Sequence, residues 1–272
     1  MHEFDLIKKY FLNLSKNNKG SLNLNDDVFF DKSKKLVISI DSYLEGTHFI
    51  DFKKPDLVIK KIIRSSISDL ICKGVIPKYY FISGSGNKKS FSKLNLKKIS
   101  KSLSEEQKKY SIFLCGGDTT FSNKLSFTIS CIGFSSKIIY RNKAKINDDI
   151  YVTGNLGDSY IGLKILKKNI LANKFFYKYF TNKYYLPDLN LRLTKKLKSI
   201  CHTSIDLSDG LISDLEKLIN KQKFSYKLFL SDIPMSNNLK KFINLKKLKK
   251  TELISRGDDY QILFTASPKK SR

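Results

Sequence analysis

Apolar and polar positions along the chain follow two different periods, and together they predict an α+β protein. In some segments apolar side chains recur three or four residues apart, as in helices, and in others they alternate or run together, as in strands. Helices are predicted over residues 3–14, 55–73, 91–109 and 158–168, over much of the stretch from there to about 199, and over 210–221. Strands are predicted over residues 36–40, 111–115, 125–134, 150–153, 203–207, 224–230 and 259–265.

This order of elements predicts two domains. Residues 1–145 are expected to form a sheet with helices on one face, and residues 146–272 are expected to form a second α+β domain. The polar segment 141–149 is interpreted as the linker between them. A length of 272 residues agrees with this division, because domains commonly contain about 150 residues.

The composition is that of an ordinary globular protein, with 41% hydrophobic residues. The N-terminal stretch carries charges where a signal peptide has its apolar core, and no run approaches the roughly 20 apolar residues of a membrane span. These features predict a cytoplasmic protein with no membrane partner. The four cysteines form no CxxC pair and the three histidines do not cluster, so any metal is expected to be a hard cation bound by oxygen.

The charge is strongly basic, since 51 Lys+Arg against 25 Asp+Glu give a net charge of +26. Such an excess favours attraction of polyanions, from nucleic acids to nucleotide phosphates. Lysine is spread through every segment, however, without a basic cluster interleaved with aromatic residues. A whole-chain compositional bias is therefore the preferred interpretation, with no specific nucleic acid partner, and a basic nucleic-acid-binding protein is kept as an alternative.

On this basic background the aspartates are notable for their positions, because almost all of them follow a strand or occupy a tight turn. They are Asp26, Asp27, Asp41, Asp69, Asp118, Asp206, Asp209, Asp258 and Asp259. Adjacent carboxylates repel unless a cation bridges them, so their convergence would create a site for divalent metal. Mg2+ is the natural candidate, since it needs few protein carboxylates and leaves positions for water and phosphate oxygens.

Taken singly, these motifs also have simpler interpretations. Asp69 could pair with Lys73 one helical turn further on, at a solvated face. Asp209 could be the N-cap of the helix that follows. The glycine turn 153–159 could bind phosphate through N–H groups at a helix start, or merely reverse the chain. No P-loop, GxGxxG fingerprint or protein-kinase motif set is present, so ATP would need another scaffold.

In their order and spacing, however, the motifs together resemble those of thiamine-monophosphate kinases, members of the AIR synthetase-like superfamily. The matching segments are Asp26-Asp27-Val28, Ser39-Ile40-Asp41, Glu45-Gly46-Thr47-His48-Phe49, Ser68-Asp69-Leu70 with Gly74, Gly116-Gly117-Asp118-Thr119-Thr120, Arg141, Tyr151-Val152-Thr153-Gly154, Ile205 to Leu211, Ile233 to Ser236, and Arg256 to Tyr260. The resemblance implies ATP- and Mg2+-dependent phosphorylation of thiamine monophosphate to thiamine diphosphate. It also implies a homodimer that pairs through the N-terminal sheets, and a site between the two domains.

Roles for individual residues also follow from the resemblance. Ligands of several Mg2+ ions would be Asp27, Asp41, Asp69, Asp118, Asp206 and Asp209, assisted by the backbone near Ser39 and Ile40. ATP would contact Gly117, Asp118, Arg141 and Ser208, and thiamine monophosphate would contact His48 and Asp258. Asp118, Arg141 and Asp209 are the expected catalytic residues, with Arg141 stabilising charge on the transferring group. No general base is needed, because a phosphate monoester with a second pKa of about 6 is already largely deprotonated.

Two further alternatives accompany this hypothesis. Other AIR synthetase-like enzymes, which make aminoimidazole ribonucleotide or selenophosphate, would share the ATP and metal ligands, but the stretches 206–211 and 256–260 favour the thiamine enzyme. Asp258 stands where the family usually has Glu, and family members continue for some tens of residues beyond the last motif. The second domain is therefore expected to be truncated, and a catalytically inactive member of the family is the other alternative.

Overall fold

The structure is a computed structural model, and it describes residues 3–268. Its N-terminal half contains the strands β1 (Phe29–Asp31), β2 (Leu36–Leu44), β3 (Pro77–Gly86), β4 (Phe113–Phe121) and β5 (Ser126–Phe134). They form one mixed sheet in the order β1-β2-β5-β3-β4. Strand β5 pairs antiparallel with both β2 and β3, and β4 runs parallel to β3 at the far edge of the sheet.

The C-terminal half contains a smaller antiparallel sheet. Its strands are β6 (Asp149–Val152), β7 (Thr203–Asp206) and β8 (Ile262–Ala266). They lie in the order β6-β8-β7, so that the last strand of the chain pairs with both others. The end of β7 therefore presents Asp206 at the boundary of this sheet.

The helices begin with α1 (Glu3–Leu6), which continues through a π-helical turn at Ile7–Phe11 and 3-10 turns at Leu12–Ser15 and Lys19–Leu24. The other helices are α2 (Pro55–Cys72), α3 (Lys93–Tyr110), α4 (Asp158–Leu166), α5 (Lys174–Tyr185), α6 (Leu191–Ile200), α7 (Leu211–Leu218), α8 (Asn237–Lys246) and α9 (Lys250–Ile254). The predicted α+β class is confirmed, with helices packed on one face of the larger sheet.

Helix α2 joins the two halves. It begins with Pro55 in its first turn and ends before Gly74, whose φ of 72° suits a residue without a side chain, as the sequence predicts. One side of the helix packs on β2 and β5, and the other packs on β7, β8, α5 and α6. Because it is covered on both sides, most of its residues are buried, including the charged Lys61 and Arg64.

One cluster of buried apolar side chains extends through both sheets, from Val37 and Ile129 to Ile262 and Phe264. A second cluster lies among the helices of the C-terminal half. The division of the chain near residue 145 stays a prediction. Among the described residues, none of the helices combines the length and the apolar character needed to cross a bilayer.

The predicted strand over residues 224–230 is wrong. The segment alternates apolar and polar side chains, but it runs as irregular chain with Phe224, Tyr226 and Phe229 at least one-third exposed. It lies across a cavity of about 920 Å³ from β6 and pairs with no strand of the described chain. Alternation predicts which side chains face a core, but a strand also needs a neighbour for its N–H and C=O groups.

Strand β3 was not predicted, and β4 is longer than predicted. The glycines Gly84 and Gly86 lower strand propensity at the end of β3. In β4, Gly116-Gly117-Asp118 lies inside the strand rather than after it. A Cβ at Gly117 would overlap the backbone of Ile82 on β3, so the parallel pairing itself requires glycine there.

Candidate active site

A cleft of about 860 Å³ opens beside α2, and both halves of the chain line it. Its walls include most of the residues that the motifs single out: Asp27, Ile40, Asp41, His48, Asp69, Arg141, Asp206, Ser208, Asp209 and Asp258. Ser39 is buried in β2 next to this lining, with its hydroxyl directed to the carbonyl of Ser66 at 3.4 Å. Aspartates far apart in the sequence thus converge on one space.

Three carboxylates form the centre of the cleft. Asp27 precedes β1, Asp69 lies in the last turns of α2 and Asp206 ends β7, and one oxygen of each lies within 4.8 Å of the others. Asp206 is held by the hydroxyl of Ser68, which donates to it at 2.7 Å. Such an all-oxygen set suits a hard divalent cation, whereas the described chain brings no histidine or cysteine into it.

The pKa values of this cluster indicate that the charged forms of its carboxylates are disfavoured when no cation is bound. Burial raises the pKa of Asp41 to about 6, although the hydroxyl of Tyr43 partly offsets it. Burial also raises the pKa of Asp206 to about 6. For Asp69, burial and then the neighbouring charges of Asp41 and Asp206 raise the pKa well above its usual value. A bound cation would remove this cost by stabilising the charged forms.

We predict that the metal-free protein loses thermal stability as the pH rises from 5 to 7.5. The folded state holds protons on Asp41 and Asp206 up to a pKa of about 6, whereas the unfolded chain releases them near 4. The stabilisation is complete below the lower value and is lost as the pH passes 6. Melting curves with a chelator should show a fall of several degrees. Saturating Mg2+ should reduce this fall to the part caused by Asp259, a residue outside the cluster whose pKa burial raises to about 8. A fall of equal size with and without Mg2+ would contradict the prediction.

Two cationic side chains border the cluster. The guanidinium of Arg141 donates to both oxygens of Asp27, and its backbone N–H donates to Asp26 at 3.0 Å. The ammonium of Lys73, which is fully buried, lies 2.7 Å from both Asp26 and Asp27. Burial alone would lower the pKa of Lys73, but the charge of Asp26 raises it overall. The solvated Asp69–Lys73 pair that the sequence allowed is therefore not what the structure shows.

Ser208 and Asp209 lie in the turn between β7 and α7. Asp209 is exposed and forms an ion pair with Lys217, and the N-cap of α7 is Gly210, so Asp209 does not have the simple capping role. Instead, the carboxylate of Asp214 accepts the N–H groups of Asp209 and Gly210 at 2.9 and 3.0 Å. Asp214 of α7 thus holds the backbone of the turn, and the side chains of Ser208 and Asp209 line the cleft.

Asp258 and His48 also line the cleft. Asp258 has a left-handed backbone (φ 69°) and pairs with Lys61 of α2 at 2.6 Å. The ammonium of Lys61 also lies over the ring of Tyr184, 4.0 Å from its centroid. His48 accepts the N–H of Leu44 through Nδ1 at 3.0 Å, which requires that any ring proton on a neutral His48 sits on Nε2.

The loop that carries Asp258 is held against the turn after β7. The N–H of Asp258 donates to the carbonyl of Ser208 at 2.9 Å, and Tyr260 donates to Leu207 at 2.8 Å. A Cβ at Gly257 would overlap the carbonyl of Ser208, so this close approach needs glycine. Ser208, which is expected to contact ATP, and Asp258, which is expected to contact thiamine monophosphate, therefore lie on directly bonded loops.

In the glycine turn 153–159, a free N–H group at the start of α4 already has a hydrogen-bond acceptor within the protein. The N–H of Gly157, the N-cap of α4, donates to the carboxylate of Asp259 at 2.8 Å. Burial raises the pKa of Asp259 to about 8, although this bond partly offsets it. The helix start is thus already matched by an acidic side chain, which favours the structural interpretation of this turn over phosphate binding.

Within one chain, the structure does not bring Gly117 and Asp118 into the cleft. The ladder register connects Ser42 on β2 to Thr128, then to Ser83, then to Asp118 on β4. Three strand spacings of about 4.8 Å place Asp118 roughly 14 Å from β2. It also shares the face of Ser42, opposite to that of Asp41, because successive side chains alternate across a strand. The roles of these two residues stay predictions.

Lys61 and Lys73 hold aspartates of the cleft in place, although the motifs give neither lysine a role. Both lie in or directly after α2, in a chain where lysine occurs in every segment. Nothing in the local sequence separates Lys73 from the solvated lysines. Only Lys61, inside an otherwise apolar helical stretch, offered a signal, because a lysine that is buried needs a carboxylate partner.

Similarity to known proteins identifies the class of fold. Residues 24–135 match the family model of the AIR synthase related protein, N-terminal domain, and this range includes all five strands of the larger sheet. A solved structure, AaThiL complexed with AMPPCP and TMP, matches 99% of this chain and 86% of its own with a TM-score of 0.90, at 24% sequence identity. The N-terminal half therefore has the fold of the AIR synthase related N-terminal domain, and the chain as a whole shares the fold of this solved structure.

Curated relatives define the family more narrowly. The thiamine-monophosphate kinase of Haemophilus influenzae is 34% identical over 280 residues, which cover 98% of this chain and 82% of the relative. The thiamine-monophosphate kinase of Buchnera aphidicola subsp. Acyrthosiphon pisum is 35% identical over 277 residues, covering 98% and 84%. The chain belongs to the thiamine-monophosphate kinase family, and the resemblance drawn from its motifs is confirmed.

Proposed function

We propose that this chain transfers the γ-phosphoryl group of ATP directly to the phosphate of thiamine monophosphate and so forms thiamine diphosphate. The observation that carries the proposal is the convergence of Asp27, Asp69 and Asp206 within 4.8 Å, in a cleft that also presents His48 and Asp258. The curated relatives that match nearly the whole chain are kinases of this name.

The chemistry explains why the cleft is acidic. Transfer between two phosphates brings two anions together, so catalysis consists mainly of neutralising charge and aligning the groups. Mg2+ bound in the cleft would supply this by bridging phosphate oxygens. Asp27, Asp41, Asp69 and Asp206 are the proposed ligands, with Asp209 for a further ion. Burial raises the pKa values of Asp41, Asp69 and Asp206, so a bound cation would stabilise their charged forms.

The remaining contacts divide between the two substrates. Ser208 and Arg141 are proposed to contact ATP, because they flank the carboxylate cluster. His48 and Asp258, which line the same cleft, are proposed to contact thiamine monophosphate. Lys61 forms an ion pair with Asp258, and this pair fixes the position of a side chain that is shorter than the Glu usual in the family. The cytoplasmic location stays a prediction.

We also propose that the chain acts as a homodimer through the larger sheet. The face opposite α2 exposes large apolar side chains on four strands, namely Ile40, Leu44, Phe81, Phe113 and Phe134. Large apolar side chains exposed together on one sheet face are typical of an interface. Ile40 and Ser42, which belong to the same face, also line the cleft. Strand β4 of a partner is therefore proposed to bring Gly117 and Asp118 to the cleft that their own chain does not reach.

The test is direct formation of thiamine diphosphate. Purified protein with ATP and thiamine monophosphate should produce thiamine diphosphate and ADP when Mg2+ is present, and neither product above background when a chelator replaces it. Aminoimidazole ribonucleotide precursors and selenide serve as competing acceptors in parallel reactions. ATP consumption with one of these acceptors, but not with thiamine monophosphate, would overturn the proposed substrate.

A further inference from the structure

Lys73 lies buried behind the cleft wall, where its ammonium contacts three oxygen atoms. Its ammonium lies 2.7 Å from Asp26 Oδ1 and 2.7 Å from Asp27 Oδ2, and it donates to the carbonyl of Ser204 at 2.8 Å. Two carboxylate oxygens and one carbonyl oxygen therefore surround the ammonium.

The position is closed to solvent. Lys73 is 0% exposed, and the side chains of Asp26 and Asp27 are 5% and 8% exposed. An ammonium is costly to bury unless carboxylates compensate its charge, and removal of one partner leaves an uncompensated charge. The two aspartates and the lysine thus form one electrostatic unit at the wall of the metal cluster.

Asp27 links this unit to the cluster. One of its oxygens contacts Lys73, and both contact the guanidinium of Arg141. Asp27 also offers an oxygen to the set that contains Asp69 and Asp206. Without Lys73, the adjacent carboxylates of Asp26 and Asp27 would face Arg141 alone, and the excess negative charge would attract another cation.

We propose that the ammonium of Lys73 occupies a position that a divalent cation would otherwise take, so that this chain binds one divalent ion fewer than the same site without the lysine. The inference rests on the proposed function only in taking the cleft to be a divalent-metal site. It concerns the number of ions bound and not the reaction that they support.

The experiment counts Mn2+ bound by the nucleotide-free protein, with free Mn2+ followed by electron paramagnetic resonance. Lys73→Met removes the charge while keeping the length of the side chain, and it should bind one more Mn2+ per chain than the unchanged protein. Its melting temperature should rise more on addition of Mn2+. Lys60→Met is the matched control, since Lys60 lies on the same helix and pairs with Glu105 at 2.5 Å outside the cleft; its count should not change.

A double variant separates electrostatic replacement from simple disturbance. Lys73→Met combined with Asp26→Asn removes one charge of each sign, and its Mn2+ count should return to that of the unchanged protein. An equal count in Lys73→Met and the unchanged protein would overturn the proposal. So would failure of Lys73→Met to fold even with Mn2+ present, because the ion should then take the place of the ammonium. If Lys73→Met binds the extra Mn2+ but the unchanged protein has no kinase activity, the proposed function alone is refuted.

Discussion

Replacement of Asp206 by Asn is expected to slow formation of thiamine diphosphate by about a hundredfold or more, while the metal-free protein becomes more stable. Asn keeps the size of the side chain and an oxygen that can accept the hydroxyl of Ser68. It loses the charge that would bind Mg2+, which removes several kcal/mol of stabilisation from a doubly anionic transition state. Because burial raises the pKa of Asp206 to about 6, its charge is unfavourable at pH 7.5 without metal.

The opposite signs of these two effects distinguish a ligand from a structural residue. Turnover is measured at saturating Mg2+, and melting temperature is measured with a chelator at pH 7.5. Asp148→Asn is the matched control: burial would raise the pKa of Asp148, but hydrogen bonds, including those from Lys145 and His202, lower it overall. That variant should lose stability and keep its turnover. Undiminished turnover of Asp206→Asn would exclude the metal role.

Mixing two inactive variants is expected to restore about a quarter of the normal activity, if the partner supplies Asp118. Asp118→Asn leaves its own cleft intact but lacks the residue that it would give to the other chain. Asp206→Asn has the reverse defect. Random reassociation makes half of the dimers mixed, and each mixed dimer has one complete site, whereas either variant alone has none.

The control for this experiment is a mixture of Asp206→Asn with Asp69→Asn. Both residues line the cleft of their own chain, so no mixed dimer contains a complete site and activity should stay at the level of the separate variants. Mixed dimers are verified by differently tagged chains purified over both tags. Verified mixed dimers of Asp118→Asn and Asp206→Asn without recovered activity would refute the contribution of Asp118 across the interface.

The sequence was informative wherever local chemistry decides the structure. Proline and glycine fixed the ends of α2 to within a residue, and carboxylates placed at strand ends were sufficient to predict an acidic cleft. Interactions between distant segments were not accessible in the same way. The segment 224–230 alternates like a strand but has no neighbour with which to pair.

Register and burial account for the other differences. Asp118 belongs to the same motif series as Asp41, but the strand register places it on the opposite face of the sheet, and register depends on pairing that no single segment specifies. Lysine is usually a surface residue, and Lys73 is buried only because α2 packs between the two sheets. In a chain with so many lysines, the sequence alone does not distinguish the buried lysines from the exposed ones.

Because α2 is covered on both sides, it also fixes how far apart its two internal lysines hold their aspartates. Lys61 pairs with Asp258 and Lys73 pairs with Asp26, and twelve residues at about 1.5 Å each separate the two lysines by about 18 Å along the helix axis. The relative position of these aspartates is therefore set by a residue count. Lengthening the helix by one residue would turn one end by about 100° relative to the other, and would misalign donor and acceptor without altering any residue that touches them.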